Sequence, residues 1–371
     1  MDKNFMKLRP FFILADLKAG GAQRVILTIV RHLNRQEFEP HLGIINRNGP
    51  LIKEIPENVH IHDLKASRVR YALPGILSVC HYFKPEIIVS TLGHLNLLLL
   101  AFKSFLPKRS RLVVREANTP SIRLRYTRRP SLYRFLYRRL YPLADGVICN
   151  SQYMKNDLVD SFFLSTEKAL VIPNPVDSER IDYFLLNSHT PFRPGKYHIV
   201  TAGRLNYQKG FDLLLKVLKK TLQKVPELHL SIIGDGSRDR ALKDLASDLK
   251  IKDFVTFVGH QDNPFPFMAH ADLFISSSRW EGLPNVVLEA LACGTPVLAF
   301  DCPGGTGEII RQGENGWLVP SGDLESMSQK MVEIIEGKKW MELPTDSLLP
   351  REYKCQGVVR KYEELLLSNQ L

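Results

Sequence analysis

The chain has 371 residues, 44% of them apolar, and a formal net charge of +11. This length suits two domains with sizeable cores better than one. Its five cysteines (Cys80, Cys149, Cys293, Cys302 and Cys355) are scattered and form no Cys-x-x-Cys pair, which speaks against a disulfide framework or a cysteine zinc site. The longest apolar run, Leu97–Phe102, is far shorter than a membrane span, and Met1-Asp2-Lys3-Asn4-Phe5 lacks the apolar core of a signal peptide. The expected location is the cytoplasm.

The first half opens on an apolar run, Phe11–Ala15. A glycine turn follows, Ala19-Gly20-Gly21-Ala22, and then a helical pattern over Arg24–Leu33. Strand, glycine turn and helix begin a Rossmann-like unit. The turn is not Gly-x-Gly-x-x-Gly, so a dinucleotide reading has little support. Further strands are expected at His41–Asn46, Glu86–Ser90, Leu112–Arg115, Gly146–Asn150 and Leu170–Ile172. Their alternation with helices predicts an α/β fold with a parallel sheet.

The charge is concentrated. Residues 101–142 hold twelve Lys or Arg and one acid, Glu116, so this segment's excess equals that of the whole chain. Within it, Pro130–Tyr141 interleaves Arg134, Arg138 and Arg139 with Leu132, Tyr133, Phe135, Leu136, Tyr137, Leu140 and Tyr141. Two readings stand. A basic amphipathic helix can lie on an anionic membrane, or it can pack its aromatics into its own domain and solvate its arginines. No recognition motif accompanies the charge, so nucleic acid is not an expected partner.

Pro173-Asn174-Pro175-Val176-Asp177 marks a boundary, after which the pattern restarts. Expected strands are Ile199–Thr201, Leu228–Ile233, Phe254–Val258, Asp272–Ser276 and Val297–Ala299. Gly203–Gly210 is a loop, Phe211–Lys224 a helix, and Tyr353–Leu367 a final amphipathic helix. Domains are therefore expected at 1–177 and 178–352, followed by a closing helix at 353–371. After strand 272–276 come Glu281-Gly282-Leu283-Pro284-Asn285-Val286-Val287-Leu288-Glu289, with a helix from Asn285 that is halted near Gly294. Ligands of open α/β sheets bind outside the strand carboxyl ends. Glu281 is thus expected over the ligand and Glu289 just over one turn into the helix. Between them lies a helix start suited to a phosphate.

This string, continued by Cys293-Gly294-Thr295-Pro296, resembles the retaining glycosyltransferases of family four, whose signature is Glu-Gly-x-Pro-x-x-x-x-Glu-Ala. The resemblance implies a GT-B fold, two Rossmann-like domains facing across a cleft, with the final helix crossing back to the first domain. Gly203-Arg204-Leu205-Asn206-Tyr207-Gln208-Lys209-Gly210 matches the family position where Arg204 and Lys209 hold the donor diphosphate. Cations aimed at the departing phosphate lower its barrier. The chain has no Asp-x-Asp, so the resemblance implies catalysis without metal or cofactor. It further implies that Glu281 meets hydroxyls of the transferred sugar and Glu289 those of the ribose. Gly282, Leu283, Pro284, Asn285 and Val286 would line the nucleotide-sugar site with Gly20, Gly21 and Gly234. Gly259, in Val258-Gly259-His260, would face the base. Gly304-Gly305-Thr306-Gly307-Glu308 is a further candidate for phosphate or sugar hydroxyls. Because Glu281 and Lys209 are read as loop residues, substituting either is expected to disturb folding little.

On the acceptor side, Gly20-Gly21-Ala22-Gln23-Arg24-Val25 resembles the family's Gly-Gly-Ala-Glu-Arg-Val, with Gln23 in place of Glu. His94 lies near where relatives place a histidine over the sugar; the competing reading is a structural histidine. Arg115-Glu116-Ala117-Asn118 resembles a string in bacterial enzymes that extend polyprenyl-diphosphate-linked glycans with N-acetylhexosamines. Arg24, His94, Arg115, Glu116 and Asn118 are the implied acceptor residues. The resulting expectation is a retaining transferase that moves hexose or N-acetylhexosamine from a UDP-sugar to a lipid-linked saccharide, peripheral on the inner face of the membrane. The alternatives are a lipopolysaccharide-core or glycolipid glycosyltransferase, a GT-B UDP-sugar epimerase, and a non-catalytic membrane or nucleic-acid module.

Overall fold

A computed structural model of the chain describes residues 7–18, 20–339, 343 and 348–368. Met1–Phe5, read above for a leader, and Ala19 of the glycine turn lie outside the described residues. The chain forms two compact units, one of residues 1–175 with 355–371 and one of residues 176–354.

In the first unit the strands are β1 (Pro10–Asp16), β2 (His41–Asn46), β3 (His60–Asp63), β4 (Ile87–Thr91), β5 (Arg111–Arg115), β6 (Gly146–Cys149) and β7 (Ala169–Val171). Its helices are α1 (Gly21–His32), α2 (Leu73–Phe83), α3 (Gly93–Ala101), α4 (Pro120–Leu124), α5 (Pro130–Leu140) and α6 (Gln152–Phe162). In the second unit α7 (Ser178–Leu185) precedes β8 (Tyr197–Ala202), α8 (Phe211–Thr221), β9 (Leu228–Ile233), α9 (Asp239–Asp248), β10 (Val255–Gly259), α10 (Phe265–Ala269) and β11 (Leu273–Ser276). It continues through α11 (Asn285–Ala292), β12 (Val297–Asp301), α12 (Thr306–Ile309), β13 (Gly316–Pro320) and α13 (Leu324–Glu336). The last helix, α14 (Cys355–Leu367), belongs to the first unit.

All pairings are parallel, in the orders β3-β2-β1-β4-β5-β6-β7 and β10-β9-β8-β11-β12-β13. A parallel sheet must be covered on both faces, and its strands then read as unbroken apolar runs. Strand alternation divides β1 accordingly. Phe11 and Ile13 join the cluster built with α2, α3 and α6. Phe12 and Leu14 join the cluster of α1 and α14. The second unit repeats the arrangement, with Ile199 facing α8 and α13 and Val200 facing α11. In each unit the strand order reverses beside the first strand, between β1 and β4 and between β8 and β11, and such switch points are where doubly wound sheets bind ligands.

Two strands lie outside the expected set. β3, His60-Ile61-His62-Asp63, is a short edge strand with largely exposed polar side chains. β13 holds Gly316 and ends on Pro320, residues that weaken a strand signal. The helix expected to reach Lys224 stops at Thr221, ahead of Pro226.

A buried carboxyl ties the end of β5 to three helical elements of the first unit. Glu116 Oε1 accepts hydrogen bonds from the Tyr141 hydroxyl, from the Tyr137 hydroxyl at 3.2 Å and from Asn96 Nδ2 at 3.2 Å. Asn96 also donates to the Arg115 carbonyl (3.0 Å) and accepts from Ser90 Oγ (2.7 Å). Burial raises the Glu116 pKa against the opposing pull of Tyr141 and Arg123. Glu116→Ala should cost about 3 kcal/mol or more, because it strands several buried donors, whereas Glu116→Gln keeps the accepting oxygen and should stay within about 1 kcal/mol. A raised folded-state pKa gives stability that is complete below the unfolded value of 4.5 and lost as pH climbs through the folded one. Urea melts across the acid-to-neutral range should therefore show wild type losing stability relative to Glu116→Gln as pH rises.

Candidate active site

The chemistry-bearing residues of the second unit converge at its switch point. The loop after β8 carries Arg204 to Gly210 and the loop after β11 carries Ser277 to Pro284. Glu281 is 5% exposed. Its Oε1 accepts from Lys209 Nζ and Ser278 Oγ, each at 2.6 Å, and its Oε2 accepts from Gln208 Nε2 at 3.3 Å. Gln208 Nε2 also donates to the Trp280 carbonyl at 3.0 Å. Lys209 and Glu281 thus form an ion pair whose side chains are 17% and 7% exposed.

A second, bidentate pair clamps the same two loops. Arg279 donates to Asp212 Oδ1 and Oδ2 at 2.9 and 2.7 Å and stacks 4.0 Å over the Tyr207 ring. Burial alone would raise the Asp212 pKa, but the hydrogen bonds and charge of Arg279 outweigh it and hold the carboxyl below its ordinary value. Ser277 Oγ donates to the Lys209 carbonyl at 3.0 Å and Arg279 N to the Gln208 carbonyl at 2.8 Å. Gly210 closes the contact. Its φ is +64°, and a Cβ there would lie 2.0 Å from the Ser277 carbonyl oxygen, so only glycine lets the loops meet.

A third loop, after β12, docks on the second. Glu281 N donates to the Pro303 carbonyl (3.0 Å) and Gly305 N to the Gly282 carbonyl (2.6 Å). Gly304, at φ +134°, would place a Cβ 2.4 Å from the Glu281 carbonyl oxygen. Gly282, Leu283 and Pro284 are buried, while Asn285, Val286 and Glu289 on α11 are half-buried. The first turn of α11 holds neither an acidic side chain nor a side-chain cap. Arg204 is exposed and lies in the same loop as Lys209. Gly234 follows β9, and its N–H donates to the carbonyl of Gly259, the last residue of β10. Together these elements present two cations, an anchored carboxylate and a helix start at one end of one sheet.

In the first unit the implied acceptor residues sit on different elements. Gly20 and Gly21 start α1, where Gln23 Nε2 donates to Asp16 Oδ1 at 2.7 Å; a Glu at position 23 would oppose that carboxylate. Arg24 turns toward Glu54, at 3.8 Å. His94 lies in the first turn of α3, just after Leu92, which adopts φ +80°. The residue is exposed, yet desolvation lowers its pKa, with Arg123 adding to the effect and Asp16 opposing it. Arg115 and Glu116 are each 1% exposed. Arg115 donates to Thr91 Oγ1 (3.2 Å) and to Asn174 Oδ1. Both side chains are committed inside their own unit, so the expected direct acceptor contact gives way to a role in holding the β5 end. Asn118 is half-buried in the loop that follows.

Sequence reasoning missed Ser278, Gln208, Asp212 and Arg279, the residues that hold Glu281 and Lys209 in place. A signal existed, since Asp212 and Arg279 are opposite charges next to two strand carboxyl ends. Their pairing, however, follows from the β8–β11 adjacency and not from spacing.

Both sheets have Rossmann-like topology, and the second carries these residues at its switch point. A sequence profile described as Glycosyltransferase Family 4 matches residues 19–180, and one described as Glycosyl transferases group 1 matches residues 186–346. The N-acetylgalactosamine-N,N'-diacetylbacillosaminyl-diphospho-undecaprenol 4-alpha-N-acetylgalactosaminyltransferase of Campylobacter jejuni is 31% identical over 336 residues, covering 87% of this chain and 89% of its own. An uncharacterized glycosyltransferase of Haemophilus influenzae is 25% identical, covering 97% of this chain and 100% of its own. The structure of Anabaena HepE in complex with UDP-glucose matches with a TM-score of 0.74 at 21% identity, covering 97% of this chain and 99% of that one. The chain belongs to glycosyltransferase family four and has the GT-B fold.

The burial of the Lys209–Glu281 pair argues against the expectation that changing either residue disturbs folding little. Lys209→Ala should cost about 3–5 kcal/mol, since it leaves a buried carboxylate unpaired. Lys209→Met combined with Glu281→Gln should recover part of that loss. Chemical denaturation of the single and double variants checks both.

Proposed function

We propose that this glycosyltransferase is a retaining enzyme that moves a hexose or N-acetylhexosamine from a UDP-sugar to a lipid-linked saccharide. The observation that carries the proposal is the Lys209–Glu281 pair, 2.6 Å apart and locked between the β8 and β11 loops, with Arg204 exposed in the first of them. The diphosphate leaves with developing negative charge, and in this reading Lys209, Arg204 and the α11 start meet it. Two of the three Lys209 ammonium donors remain for phosphate while the third holds Glu281. The anchored Glu281 carboxylate suits a hydroxyl of the transferred sugar, and Glu289, one turn further, the ribose. A carboxylate already accepting from Lys209, Ser278 and Gln208 is a poor nucleophile. Reaction on one face of the sugar, with the leaving phosphate taking the acceptor proton, therefore fits better than double displacement. In this reading the cations do the work that a bridging metal does in Asp-x-Asp enzymes.

The choice of donor and acceptor is supported by two similar proteins. HepE was solved with UDP-glucose, and the Campylobacter enzyme adds N-acetylgalactosamine through an α linkage to a diphospho-undecaprenol glycan. An anionic membrane surface is supported by α5. Of its aromatics only Tyr137, stacked on Tyr141, is buried, whereas Leu132 and Phe135 are 45% and 55% exposed, with Tyr126 at 59% nearby. Arg134, Arg138 and Arg139 are exposed on the same helix. Packing thus uses one face of α5 and leaves apolar side chains among arginines on the other, the pattern of an interfacial helix. Among the described residues no helix is long and apolar enough to cross a membrane.

The test is incubation with labelled UDP-sugars and a bacterial lipid extract. Label should enter the lipid phase; a free sugar epimer, or no product with any donor, contradicts the proposal. Because Arg204 is exposed, Arg204→Ala should lower kcat/KM about a hundredfold with melting temperature unchanged, and near-normal turnover removes the donor assignment. Neutralising Arg134, Arg138 and Arg139 together should weaken partitioning onto anionic vesicles about a hundredfold, at roughly 1 kcal/mol per charge. Transfer to a short soluble acceptor should survive. Equal vesicle binding at low salt returns α5 to a solvated surface helix.

A further inference from the structure

The opposite, amino-terminal end of the first sheet carries a histidine cluster that the transferase reading does not use. β2 begins at His41 and β3 at His60, and their register pairs His41 with His60 and Gly43 with His62. Side chains alternate along strands, so His41, His60 and His62 share one face, and Glu39, two residues before His41, reaches the same place. Phe83 lies flat against the inner side of the cluster, with ring centroids 4.3 Å from His41 and 5.1 Å from His62.

The polar atoms converge. His60 Nε2 is 2.9 Å and His41 Nε2 3.8 Å from the same Glu39 oxygen, and one ligating atom from each residue lies within 4.8 Å of the others. His41 is 7% exposed, and its Nε2 is buried without a hydrogen-bond partner. Such an orphan is costly unless something absent from the protein itself satisfies it. His41 Nδ1 lies 2.8 Å from His62 Nε2. When His41 Nδ1 donates that hydrogen bond, Nε2 is a bare lone pair aimed at Glu39 and His60. This is the arrangement in which a second imidazole orients a metal-binding histidine.

We propose that His41 Nε2, His60 Nε2 and the Glu39 carboxylate form a binding site for a divalent cation of the zinc class, with His62 fixing the His41 tautomer. Tetrahedral zinc with bonds of about 2.0–2.2 Å sets its ligand atoms roughly 3.3 Å apart, and the two measured separations bracket that value. Two imidazoles and a carboxylate are a zinc-type donor set, whereas calcium and magnesium sites are built from oxygens. Glu39 is half-buried and His60 exposed, so water can complete the coordination. Among the described residues the cation whose charge reaches His41 is Arg9, and its guanidinium is paired with Glu86 at 3.3 Å. Bound metal would cross-link edge strand β3 to the segment that leads into β2. The site is structural and lies away from the strand carboxyl ends.

The experiment uses the full chain without a histidine tag, stripped with chelator and titrated with Zn2+ and Co2+. One equivalent should bind, Co2+ should give the visible absorption of a tetrahedral site, and Zn2+ should raise the melting temperature. His60→Ala and Glu39→Ala alter exposed or half-buried side chains, so the metal-free variants should melt like metal-free wild type while losing metal affinity a hundredfold or more. His62→Gln should lose about ten- to a hundredfold. Absence of one-equivalent binding, or unchanged affinity in His60→Ala and Glu39→Ala, overturns the proposal.

Discussion

The second unit is organised around one buried ion pair. Lys209 and Glu281 come from loops more than seventy residues apart in sequence, and their contact exists because β8 and β11 are neighbours in the sheet. Burying two charges is unfavourable unless each is well partnered. Here Ser278 and Gln208 supply the remaining donors to the carboxylate, and the Arg279–Asp212 clamp holds the loops that carry the pair. The glycines follow from the same requirement. Gly210 and Gly304 stand where a side chain would meet the carbonyl of a neighbouring loop. The Glu-Gly-x-Pro string and the Gly-Arg-x-x-x-x-Lys-Gly string are therefore two halves of one physical object.

Much of this was legible from residues alone. Buried strands of a parallel sheet are continuous apolar runs, so β1, β2, β9 and β12 announce themselves. β3 and β13 do not, because edge strands carry histidine, aspartate, glycine and proline, and their pairing is set by neighbours. The strand-loop-helix carrying Glu281 and Glu289 was readable because the glycine and proline positions are dictated by backbone geometry. What stayed hidden was partnership. Nothing in local sequence says that Arg279 will grip Asp212 or that Ser278 will bind Glu281, and spacing cannot tell that Arg115 and Glu116 turn inward. His41 and His60, nineteen residues apart, meet through register alone.

The two units differ in how firmly chemistry can be assigned to them. The proposed donor end has converging charges, close loop contacts and glycines that stand against neighbouring carbonyls. In the first unit the implied acceptor residues divide. Arg24 is engaged with Glu54 and Arg115 with Asn174, while His94 stands in the first turn of α3 behind a leucine of positive φ. That backbone is a sparsely populated conformation held by its surroundings, the kind of strain that gathers at functional positions. Gly93, beside it, has no room for a side chain because the Tyr137 hydroxyl lies against it, and so the buried Glu116 network fixes the turn that presents His94.

The account rests on the Lys209–Glu281 pair being the floor of the donor site. The most direct measurement is a crystal structure of the chain with UDP. The account predicts the diphosphate within hydrogen-bonding distance of Lys209 Nζ and the Arg204 guanidinium, with the ribose at Glu289. A nucleotide bound elsewhere, with Lys209 and Glu281 paired and untouched, would contradict it.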